Sequence, residues 1–156
     1  MTDDIFAVRG AIAPVANDKD AVHEATTRLL DAMLSRNRLR ANSIIFAFFT
    51  VTSDLDAAFP ATAARAMGWD AVPMMCALEI PVEGALAKCI RVLLLCRKPL
   101  ESRRLRRRNR WRDAVPPTGV VAPPLARSGR GRVAKHKPVH VYLGEAAALR
   151  PDVAEP

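Results

Sequence analysis

Residues 87–96 read AKCIRVLLLC. A run of this length and apolarity reads as a sheet strand that is dry on both faces. Arg91 stands in its middle, among Ile90, Val92, Leu93, Leu94 and Leu95. A guanidinium buried without an anion is costly, because desolvation removes far more than packing returns. Two outcomes are open: Arg91 alternates outward to solvent, or an anion comes to it.

The flanking sequence supplies partners for such a strand. IFAVRGAI (5–12) reads as a first strand ending at Gly10, and SIIFAFFTV (43–51) as a second, strongly apolar one. Between them Asn17 is positioned to cap a helix with acids in its first turn. Val22, Ala25, Leu29, Ala32 and Met33 then recur at helical spacing to about Arg36. Pro60 opens a short helix, ATAARAMG, closed by Gly68. VPMMCALEI (72–80) and ALAKCIRVLLLC (85–96) read as strands joined through PVEG, and VHVYLGEA (139–146) as a last strand. The order β-α-β-α-β-β-β predicts a mixed α/β (α+β) domain with two helices.

Residues 98–137 break this pattern. From Arg97 to Lys137 there are 14 Lys and Arg against two acids, Glu101 and Asp113, so the net charge of +8 resides in one segment and the remainder is acidic. This stretch, rich in Arg, Pro and Gly, reads as a flexible loop inserted into a domain made of 1–97 and 138–156. Its arginines and Trp111 leave phosphate neutralisation and base stacking open, hence a nucleic-acid partner. A solvated loop is the simpler reading, since no nucleic-acid fold signature accompanies the run. The longest apolar run falls well short of a membrane span, and MTDDIF lacks a secretory pattern, which implies no membrane partner and a cytoplasmic location. Cys76, Cys89 and Cys96 form no CxxC and read as reduced core thiols.

No phosphate loop, nucleophile elbow or metal-ligand cluster is present, and His23, His136 and His140 form no constellation; each reads as a surface or packing residue. What remains is charge embedded in strands: Arg9, Glu79 and Arg91, with Tyr142 on the last strand. Two arginines can bind a dianion, a carboxylate can accept a hydroxyl, and a phenol can donate to a carboxylate. Together these describe a site for a small dicarboxylate bearing a hydroxyl group.

VRGAI, DLDAAFPATAAR, GWDAVPMMCALEI, GALAKCIRV and VHVYLGEAAALRPDV resemble, in order and spacing, the AroH-type monofunctional chorismate mutases. The resemblance covers residues 5–97 and 138–153. It implies a homotrimer with a pseudo α/β-barrel core, a mixed β-sheet and clefts between subunits. It implies the rearrangement of chorismate to prephenate in aromatic amino acid biosynthesis, without cofactor or metal. By motif it implies that Arg91 faces the ether oxygen of the breaking bond. Glu79, with Cys76, would contact the ring hydroxyl, and Arg9 and Tyr142 would hold a carboxylate. Phe59, Ala61, Arg65 and Met74 would wall the cleft, with Leu149 and Arg150 near its mouth. Thr62 stands where members carry lysine, removing a cation at the rim. Met75 stands where many carry threonine, and its backbone remains available to the substrate. A related trimeric enzyme such as an enamine/imine deaminase, and a polyanion binder on a retired mutase scaffold, are the competing expectations.

Overall fold

The computed structural model describes residues 5–97 and 137–152. The Arg-rich segment, and with it the nucleic-acid reading, lies outside the described residues. Strand β1 (Ile5–Ala13) leads to helix α1 (Lys19–Asn37), a 3-10 turn (Ala41–Ser43), β2 (Ile44–Val51) and helix α2 (Pro60–Ala66). Then follow β3 (Met74–Leu78), β4 (Ile90–Arg97), β5 (Val141–Gly144) and a second 3-10 helix (Glu145–Leu149). The strands form one mixed sheet in the order β3-β2-β4-β1-β5. β4 runs antiparallel to both β1 and β2, while β3 and β5 join parallel at the edges.

Strand side chains alternate between faces, and here the two faces differ. Val8 and Ile12 of β1, Ala47 and Phe49 of β2, and Ile90, Val92 and Leu94 of β4 turn one way into the main core. There they meet Val22, Leu29, Leu30 and Met33 of α1 and Ala61 and Ala64 of α2. Residues 22, 25, 26, 29, 30 and 33 make a helical stripe, and the one buried hydroxyl in it, Thr26, donates to the Val22 carbonyl at 2.6 Å. α1 approaches β1 so closely that a Cβ on Gly10 would lie 2.4 Å from Met33 Sδ and 3.1 Å from Leu29 Cδ1. Among the described residues little packs on the opposite face. A small second cluster of Ala11, Ala13, Cys89, Tyr142 and Ala146 closes only one end of it, beneath the second 3-10 helix.

This alternation corrects one expectation: β4 is not dry on both faces, since its burial alternates residue by residue and Leu93 is 40% exposed. β4 also begins at Ile90 rather than Ala85. Before it, Lys88 takes a left-handed backbone. Its N–H donates to Asp54 Oδ2 at 2.8 Å, and the Cys89 N–H donates to Thr52 Oγ1 at 3.0 Å, so side chains of the β2–α2 connection replace ladder bonds there. The Thr52 hydroxyl also donates to Asp54 Oδ1, and this bond first, with the Lys88 N–H bond behind it, holds the exposed Asp54 carboxyl below its ordinary range. β5 is shorter than 139–146 because the chain turns at Gly144 (φ +61°) into the 3-10 helix. The cap of α1 is Asp18, whose carboxylate accepts the Ala21 N–H at 2.9 Å, and not Asn17. Asn17 instead ties down the β2–α2 loop, accepting the Asp56 and Ala57 N–H groups at 3.1 and 3.0 Å.

Gly10→Ala should force Met33 and Leu29 from their places and cost about 1–3 kcal/mol. A urea or thermal unfolding midpoint equal to the parent's would show that the α1–β1 contact has slack.

Candidate active site

The uncovered sheet face carries rows of side chains set by register. One row runs Ala77, Thr50, Arg91, Ala11 and Tyr142 across all five strands, and the next runs Met75, Phe48, Leu93 and Arg9. Over them lies a cleft of about 480 Å³, whose lining includes Arg9, Phe48, Thr50, Arg91, Leu93, Tyr142, Leu149 and Arg150. Residues from the two ends of the chain thus meet because β5 adds beside β1.

Arg91 finds its anion within the chain: its Nη1 is ion-paired with Glu79 Oε2. Glu79 follows β3, and its other oxygen accepts the Thr50 hydroxyl at 2.5 Å. Side-chain exposures of 29% for Arg91 and 16% for Glu79 keep the pair screened by solvent, so it orients more than it stabilises. Desolvation first, and the nearby Arg9 charge second, push the Arg91 guanidinium below its ordinary value, while Tyr142 acts the other way. A guanidinium remains protonated under such a shift. Arg150 is turned by Asp152, donating to its two oxygens from Nε and Nη2 at 2.8 Å each. Among the described residues the Tyr142 hydroxyl is buried without a hydrogen-bond partner. A lone buried donor beside three guanidinium groups suits an arriving anion.

Arg9, Arg91, Tyr142, Leu149 and Arg150 therefore share one cleft, with Glu79 joined through Arg91. The remaining expected residues lie elsewhere. Phe59 and Cys76 line a separate cleft of about 420 Å³ between the β2–α2 loop and β3. Ala61 packs into the main core, Met74 packs against its edge, and Arg65 is exposed on α2. Met75 is 60% exposed and sits opposite Phe48. Sequence reasoning missed Phe48, Thr50 and Leu93. Period two puts each on the same face as Arg91 only once the register is known. It also missed His140, whose Nδ1 accepts the Arg9 backbone N–H at 3.1 Å. Among the described residues no group of His, Cys, Asp and Glu could hold a metal ion, and no helix is long and apolar enough to cross a membrane.

The family model for chorismate mutase type I matches residues 5–109. The chain is 36% identical over 150 residues to the chorismate mutase AroH of Thermus thermophilus, covering 96% of both chains. Against the chorismate mutase AroH of Bacillus subtilis it is 26% identical over 151 residues, covering 96% of this chain and 93% of that one. A solved chorismate mutase from Clostridium thermocellum superposes with a TM-score of 0.62 at 36% identity, over 92% of this chain and 98% of the other.

The three thiols should separate by environment. Burial pushes Cys89 and Cys96 up to about 11, whereas Cys76 is partly exposed beside Phe59. Native protein at about pH 8 should release one equivalent per chain to a disulfide reagent quickly and the other two only on denaturation, because the thiolate is the reactive form. Three fast thiols would contradict this placement.

Proposed function

The chain belongs to the type I chorismate mutase family, and on that premise we propose how its own residues turn chorismate into prephenate. The activity is an isomerisation in aromatic amino acid biosynthesis. In the concerted [3,3] rearrangement the ether C–O bond breaks as a C–C bond forms. No proton, electron or group leaves the molecule. A protein can accelerate such a step in two ways: it can hold the enolpyruvyl arm over the ring, and it can stabilise charge on the departing oxygen.

Arg9 and Tyr142 grip one carboxylate of the substrate, the phenol donating the hydrogen bond it otherwise lacks. Arg91 donates to the ether oxygen and to the adjacent carboxylate. Glu79 accepts the ring hydroxyl, and Thr50 keeps its carboxylate turned towards Arg91. Negative charge grows on the ether oxygen in the transition state, and a guanidinium already fixed there stabilises it without reorganising. One observation carries this reading: the ion-paired Arg91, a second arginine and an unsatisfied buried phenol line a single cleft.

The other half of the site comes from a neighbouring copy in a homotrimer. Phe59 is 70% exposed, Met75 60% and Leu78 68%, and the sheet face bearing Arg91 is open. Seating the loop and β3 of one subunit over the cleft of the next would cover this apolar surface. It would bring Phe59, Arg65, Met74, Met75 and Cys76 to the substrate. Free cysteines suit a reducing compartment such as the cytoplasm.

Purified protein should consume chorismate, followed by loss of its ultraviolet absorbance, and should scatter light as three times the 17.0 kDa chain. An active monomer would sink the shared site. Arg91→Ala should lower turnover by at least ~10²–10³, the usual loss for one oxyanion-type donor. Arg91→Lys keeps the charge but not the planar fork and should recover part of it. Arg91→Met should fold and behave like the alanine variant; parent-like turnover there would remove Arg91 from the mechanism. Tyr142→Phe should raise KM more than it lowers kcat, by about tenfold for one lost charge-assisted bond.

A further inference from the structure

The chain returns to the sheet at residues 139–140 through two side-chain contacts made before any strand pairing begins. Asn37, buried at the end of α1, donates from Nδ2 to the Val139 carbonyl at 2.8 Å and accepts the Val139 N–H on Oδ1 at 2.8 Å. Its amide thus mimics a backbone partner. One residue later, His140 Nδ1 accepts the Arg9 N–H at 3.1 Å. The β1–β5 ladder starts only at the next pair, Gly10 with Val141, and Tyr142 lies opposite Ala11. The imidazole is therefore the link that ties the backbone of Arg9 to the start of the strand carrying Tyr142.

We propose that His140 is a positioning residue, which holds Arg9 and Tyr142 at the spacing of a substrate carboxylate through a neutral imidazole. This rests on the reading that those two residues grip that carboxylate. The geometry demands the tautomer with the proton on Nε2, because Nδ1 must offer a lone pair. Protonation would set an Nδ1–H against the Arg9 N–H, replacing a hydrogen bond by a repulsion of donors. The surroundings favour the neutral form: burial first, then the Arg9 charge from β1 and the Arg150 charge beyond the second 3-10 helix, hold the imidazole below its ordinary 6.5. Asp152 partly offsets Arg150, and the end of α1 presents the neutral amide of Asn37 to the adjacent residue.

The sign follows directly. A base whose folded value is depressed keeps its contribution above 6.5 and loses it as pH falls through the lower folded value. The rearrangement moves no proton and the substrate carboxylates stay ionised across that range, so an acid limb in substrate binding has no source in the chemistry itself.

The test is kcat and KM for chorismate from about pH 5 to 8 in the parent, His140→Asn and His140→Leu. The asparagine carbonyl can take the place of Nδ1 without titrating. The parent KM should rise on the acid side with kcat changing less. His140→Asn should keep KM within about threefold of the neutral-pH parent value and lose the limb, while His140→Leu should raise KM about tenfold at every pH, as one lost backbone bond implies. A flat parent profile, an acid limb that survives in His140→Asn, or a leucine variant equal to the parent would each overturn the proposal. Should the leucine variant fail to fold by circular dichroism, the parent and asparagine profiles decide alone. A parent that does not consume chorismate would instead defeat the reading of the site.

Discussion

β4 is paired on both sides, so period two along this one strand divides the molecule. Ile90, Val92, Leu94 and Cys96 go to the helices, while Arg91, Leu93 and Leu95 go to the open face. Because β1 and β2 are locked to β4 in register, their alternation follows. Val8 and Phe49 must point to the core, and Arg9 and Thr50 must not. A slip of one residue would bury Arg91 under α1 and expose Leu94, an arrangement no packing gain offsets. Core and cleft are two sides of the same constraint.

On the open face the energetic problem is charge rather than packing. Three guanidinium groups border one cleft, and the chain answers with single carboxylates: Glu79 for Arg91 and Asp152 for Arg150. Neither pair is deeply buried, so neither adds much stability. Their effect is orientation, held further for Glu79 by the Thr50 hydroxyl. A cleft built this way keeps a net positive field, which suits an anionic ligand.

Connections distant in sequence are secured by side chains that imitate backbone. Asn37 pairs with Val139, Asn17 with Asp56 and Ala57, and Thr52 and Asp54 with Cys89 and Lys88. Each secures a segment that regular pairing does not reach: the approach to β5, the loop bearing Phe59, and the entry to β4. Asn17 shows why such roles escape pattern reading. An asparagine before an acidic first turn has the signature of a helix cap, yet Asp18 takes that position and frees the amide for a loop 39 residues away.

Local chemistry determined which segments became strands and helices, because apolar periodicity, Pro60 before α2 and the stripe from Val22 to Met33 act within a few residues. The candidate residues Arg9, Arg91 and Tyr142 on strands, and Glu79 just past β3, were legible for the same reason: ionisable groups within apolar runs conflict with burial wherever they occur. Tertiary structure alone decided that β4 starts at Ile90 and that its second face is open. It also decided that Thr50 meets Glu79 and that His140 receives a hydrogen bond from Arg9. Those outcomes depend on strand register and on contacts spanning as many as 131 positions. A one-residue choice of register reverses every side chain, and local sequence carries no record of which register the whole sheet makes cheapest.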